Sequence, residues 1–116
     1  KKPKATVHKS GKIGFNGDAA DVMNLSGDEE FAVAYDDEQG PMGDLYLVEP
    51  SGDVPDESRI GVARAGGYFY LNLRRFFDRE GVDYRQYKMI YDIQKANTED
   101  WSGYYLERRE EVRERE

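Results

Sequence analysis

The chain has 116 residues, 38% hydrophobic and 35% charged, with no cysteine and a formal net charge of −7. That length fits one domain with a modest core and excludes a large α/β enzyme with a separate lid or substrate domain; the lack of cysteine excludes disulfides, thiol chemistry and Cys-held zinc or iron–sulfur clusters. No apolar run approaches the roughly 18 residues of a membrane span, and the lysine-rich start lacks the apolar segment of a secretory signal, so a cytoplasmic protein with no membrane partner is expected.

TVHK and KIGF flank a Ser-Gly turn as two short alternating runs, the pattern of an antiparallel hairpin. In NGDAADVMNL, Asn16 or Asp18 caps a short helix near 18–24, with Ala19, Ala20, Val22 and Met23 in a partly apolar pattern. Two turns are too few for propensity alone, so packing must hold it. SGD at 26–28 leads into EEFAVAYDD, a strand with Phe31, Val33 and Tyr35 on one side; DEQGPMG turns the chain again, and DLYLVEP alternates until Pro50 ends it.

The order KSGKIGF, a short alanine-bearing helix ending in MNL, then SGDEEFAVAYDD resembles the AbrB-type swapped-hairpin family over residues 9–37. The resemblance implies an interlocked homodimer and DNA binding as a transcriptional regulator or antitoxin. By position, Gly11 and Lys12 take its turn, Leu25 the end of its helix, and Gly27 and Asp28 the turn into the next strand. This sequence departs from the family at Asn16, where a proline is usual, and at Asp18 and Asp21, where the family places basic residues.

SGDVPDES at 51–58 is a polar linker, either a loop or a boundary between subregions. RIGVAR and GYFYLN read as strands around AGG, where Gly66 or Gly67 supplies a positive φ. Asn72 suits an N-cap for a helix over 73–80 with Gly81 just past its end, and Phe76 and Phe77 are its core candidates. Beyond it, Tyr87, Met89 and Tyr91 share one parity, giving strands at 86–94 and 103–110 joined by NTEDWSG; Tyr84, Tyr87, Tyr91 and Gln94 also recur at helical spacing, the rival reading over 84–95. The run REEVRERE is nearly all charge and is expected to fray over 111–116.

The fold class expected is therefore α+β: a small twisted antiparallel sheet, or sheets, of about seven strands with two short helices. One domain covers 1–110, with 1–50 and 59–110 as two packed subregions if it is subdivided.

Catalysis has little to work with. His8 is the only histidine and no nucleophile stands in a recognisable elbow or paired motif. Neighbouring acids such as Asp36 and Asp37, or Glu29 and Glu30, face opposite ways in a strand, and Asp18 with Asp21 reads as a solvated helix face. No phosphate-loop spacing occurs. No enzyme, cofactor or metal site is expected.

Binding is better supported. Residues 1–17 carry five Lys and no acid, 18–57 carry thirteen acids and no Lys or Arg, and 59–95 carry eight basic residues against four acids. A local basic face binds phosphate if the fold holds it away from the acidic block; otherwise the blocks neutralise each other, within one chain or between subunits. The chain has nine Tyr, five Phe and one Trp, and over 59–91 the aromatics interleave with basic residues. Arg64, Tyr68, Tyr70, Arg74, Arg75, Tyr87 and Lys88 are the nucleic-acid candidates, arginines and lysine for phosphate and tyrosines for stacking, with Lys4, Lys9 and Lys12 as a basic start. Four strands and a helix over 30–80 also resemble the single-strand-binding folds of the transcriptional coactivator and Whirly type. The reading is a small non-enzymatic binding or scaffolding module acting through protein contacts or self-association as a homo-oligomer; the alternative is a single-stranded nucleic-acid-binding or transcription-regulator-like protein.

Overall fold

The computed structural model describes residues 2–116, so Lys1 of the basic start lies outside it. The KSGK reversal joins β1 (Lys4–Val7) to β2 (Lys12–Phe15). His8 N–H donates to Lys12 O at 2.8 Å, and Gly11 sits at φ +88°, a left-handed backbone that glycine adopts without steric cost. Asn16 then does three jobs. Its Oδ1 accepts from Ala19 N–H as the N-cap of α1 (Gly17–Val22) and from Lys4 N–H, while its Nδ2 donates to Lys2 O. The expected helix at 18–24 is shorter because Met23 closes it and Asn24 turns left-handed at φ 53°.

β3 (Glu30–Tyr35) and β4 (Leu45–Val48) pair antiparallel, as the alternation of their apolar residues predicts. In the 51–58 linker, Asp56–Ser58 form a 3-10 turn, and the Arg59 guanidinium donates to the Ser51 and Val54 carbonyls. RIGVAR, expected as one strand, divides at Val62 into β5 (Ile60–Gly61) and β6 (Ala63–Ala65). β7 (Tyr68–Asn72) follows across a Gly66–Gly67 turn with Gly66 at φ +63°. α2 (Arg74–Glu80) starts one residue later than expected: Leu73 holds the N-cap position, while Asn72 Oδ1 accepts from Arg74 N–H, and Gly81 at φ +74° ends it. The 84–95 stretch is extended where it is regular, as β8 (Tyr87–Lys88) and the first part of β9 (Ile90–Asn97), and β10 (Ser102–Arg108) returns along β9.

The strand number is a correction. Nine strands form the main antiparallel sheet, in the order β5-β3-β4-β10-β9-β1-β2-β7-β6, rather than about seven. Its two end strands are the halves of one run: β5 pairs with β3 and β6 pairs with β7, so the segment 60–65 links both ends and the sheet is nearly closed as a barrel of eight staves. Strands from residues 1–50 and from 59–110 alternate around this ring. β11 (Arg113–Glu114) pairs with β8 in a separate ribbon, so the charged run expected to fray is partly held. Arg115 fastens it further, its N–H donating to Gln86 O and its guanidinium to Tyr84 O and Val7 O.

Inward-facing Val7, Ile13, Leu45, Leu47, Leu71, Tyr91 and Leu106 are fully buried, and α1 and α2 add Ala19, Met23, Phe76 and Phe77 to the same core. Among the described residues no helix is long and apolar enough to cross a membrane.

Candidate functional site

Alternation around the barrel sends Lys4, Thr6 and His8 outward from β1, and Lys12 and Gly14 outward from β2, because Ala5, Val7, Ile13 and Phe15 point in. On β7, Leu71 points in, so Tyr68, Tyr70 and Asn72 face out. Register then aligns these side chains in rows. Lys12 lies opposite Asn72, and His8 follows Lys12 across the hairpin. The pairing of Lys4 with Asp92 and Thr6 with Ile90 carries His8 toward Lys88, and Lys88 is paired with Arg113. Lys12, His8, Lys88 and Arg113 thus succeed one another across β2, β1, β8 and β11, at roughly 4.8 Å per strand.

The neighbouring rows carry the aromatics. Gly14 has no side chain, and the Tyr68 ring lies across that gap, its hydroxyl hydrogen-bonded to His8 Nε2 at 2.5 Å. Tyr68 stacks on Tyr70 with centroids 6.2 Å apart and planes 27° apart, and Lys12 Nζ sits 4.6 Å from the Tyr70 centroid. Tyr68 is 38% exposed, one of two large apolar side chains so open among the described residues. A shallow hollow of about 240 Å³ runs beside it, lined in part by Lys4, Thr6 and Asn16. Partial burial holds the His8 pKa below the usual imidazole value, helped by the positive charges of Arg115, Lys88 and Lys12. Burial likewise raises the Tyr68 phenol.

A second cleft, about 670 Å³, continues this surface at the chain end, where Lys9, Arg85, Lys88, Arg113 and Arg115 gather with Glu114 and Glu116. β3 and β4 are three or four staves around the ring from β1 and β2, so the acidic 36–44 connection between them lies across the ring from the basic face, while Asp18 and Asp21 on α1 stay beside β1 and β2.

The residues expected to act together divide as follows. Tyr68, Tyr70, Lys12, Lys4 and Lys88 share the outer face, and Lys9 sits in the hairpin turn beside it. Arg64 does not join them, because it pairs with Phe69 and so takes the opposite face, where its guanidinium lies 5.3 Å from that ring. Tyr87 is of opposite parity to Lys88 and is half-buried across from Glu114. Arg74 is exposed on α2 against the Gly11 turn, within 3.9 Å of Asp78. Arg75 lies apart, lining a cleft between α2 and β5.

His8, Arg113 and Arg115 are members of this surface that sequence reasoning passed over. Their signal was present: Arg113 and Arg115 alternate with Glu114 and Glu116 at the period of a strand, which puts like charges on one side. Compared with known proteins, the chain matches no family model, no curated protein and no solved structure.

Proposed function

We propose that this protein is a single-stranded nucleic-acid-binding module whose ligand crosses the outer face of β1, β2 and β7 toward the chain end. The observation that carries the reading is the cross-strand row Lys12, His8, Lys88 and Arg113 beside the Tyr68–Tyr70 stack. Lys12 and Lys88, on either side of His8 at strand spacing, suit a phosphate backbone, and an exposed tyrosine face suits a base of any sequence. The resemblance of residues 9–37 to the AbrB-type family, whose activity is DNA binding, points to the same ligand class. Self-association draws less support from the fold, since the near-closed barrel pairs the long sheet edges on which a second copy would add.

The test is fluorescence anisotropy with labelled dT and rU oligomers and a duplex control, each at two salt concentrations. Wild type should prefer the single strands and weaken as salt rises. Replacing Lys12 and Lys88 by alanine should lower affinity for every sequence and reduce the salt slope by about 0.7 per lost contact. Replacing Tyr68 by alanine should remove about 1–3 kcal/mol with little change of slope. No binding at low salt, or affinities untouched by these changes, would reassign the module to protein contacts.

A further inference from the structure

A cleft of about 460 Å³ opens between α2 and the β3–β5 side of the barrel, reaching Asn72 at the end of β7. Ala32, Val33, Ile60 and Phe76 supply apolar lining, and Gly61, also on the lining, has open space around the position of a Cβ. Three arginines surround it, but two are engaged. Arg59 is held by the Ser51 and Val54 carbonyls and lies within 4 Å of Glu30 and Asp56. Arg79 bonds Glu80 at 3.2 Å and lies 5.8 Å from the Phe76 centroid.

Arg75 is different. It has no carboxylate partner among the described residues, yet it lines this cleft one helical turn before Arg79. Asn72 stands beside it with Oδ1 already accepting from Arg74 N–H, which leaves the amide nitrogen as a donor. Glu57, which also lines the cleft on the 3-10 turn rather than on α2, disfavours an anionic group at its own end and favours one near Arg75.

We propose that this cleft binds a small amphiphilic carboxylate, an aryl or short alkyl acid, with its apolar body over Ile60 and Phe76 and its carboxylate on Arg75 and Asn72. The volume lies within the range of small-molecule sites, and an apolar wall with few convergent donors is their usual composition. A planar guanidinium free of other partners is the residue suited to bidentate capture of a carboxylate. The site is independent of the nucleic-acid reading, because it shares none of the Lys12, His8, Tyr68 or Lys88 side chains.

The experiment is a titration of 2-naphthoate against the full chain, followed by amide chemical shifts, with neutral 2-naphthamide as the isosteric control. Naphthoate should bind about tenfold or more tighter than the amide, with shifts confined to residues around Gly61, Asn72 and Phe76. Arg75→Gln should bring naphthoate down to the level of the amide. Gly61→Leu should fill that open space and abolish binding of both, with circular dichroism unchanged. Equal affinity for acid and amide, shifts mapping elsewhere, insensitivity to Arg75→Gln, or no binding of naphthoate at millimolar concentration would each overturn the proposal.

Discussion

Adding one methyl group at Gly14 and at Gly103 should have opposite consequences, although both glycines are buried strand residues. At Gly14 the new Cβ overlaps the Tyr68 hydroxyl and approaches His8 Nε2 to 2.7 Å; both are ends of side chains on an open surface, free to swing away. The loss is one hydrogen bond, about 0.5–1.5 kcal/mol, offset by the roughly 0.5–1 kcal/mol that alanine gains over glycine inside a strand. Gly14→Ala should therefore change stability by less than about 1 kcal/mol. At Gly103 the Cβ overlaps the Leu47 carbonyl oxygen and lies 3.0 Å from its carbon and 3.1 Å from Val48 Cα, all backbone of the paired strand β4. Backbone cannot rotate aside, so β10 and β4 must separate, at a cost of about 3 kcal/mol, the upper end of the usual range for overpacked cores. Urea denaturation reads both values. An NMR titration of His8 supplies the second readout: with Tyr68 displaced from over Gly14, the burial that lowers the His8 pKa is relieved, and the pKa should rise toward the ordinary value while the nearby cations still hold it somewhat down. Equal destabilisation by the two substitutions, or an unchanged His8 titration in Gly14→Ala, would refute this account of the surface.

His8 should also make stability depend on pH. Its folded pKa lies below the ordinary imidazole value of about 6.5, so the unfolded chain binds the proton more readily; the His8 contribution is complete above that value and declines as pH falls from it toward the lower folded pKa. Wild type should lose stability over this window relative to His8→Gln, in urea midpoints measured from neutral pH to about pH 5. Arg115→Met should release the chain end by removing its bonds to Val7 O and Tyr84 O, lowering stability by about 1–2 kcal/mol and speeding hydrogen exchange at Arg113 and Glu114.

Local chemistry alone determined the turns, the caps and much of the inside–outside pattern. KSGK and AGG need a positive φ that glycine supplies, Asn16 has a short acceptor where α1 begins, and Phe76 and Phe77 precede the Gly81 stop. Even the split of Arg64 from Tyr68 followed from local rules, since a two-residue turn pairs Ala65 with Tyr68 and so puts Arg64 with Phe69. Tertiary structure decided what depends on partners distant in sequence. No local pattern in RIGVAR states that its first half pairs with residues 30–31 and its second with 68–70, yet that division nearly closes the barrel. Strand order likewise set the acidic 36–44 connection across the ring from β1 and β2 and brought Arg113 and Arg115 beside His8. Alternation specifies which face of a strand is buried, with a period of two residues. Which strands become neighbours is settled by the free energy of the whole closed sheet, to which each short run contributes only a few bonds.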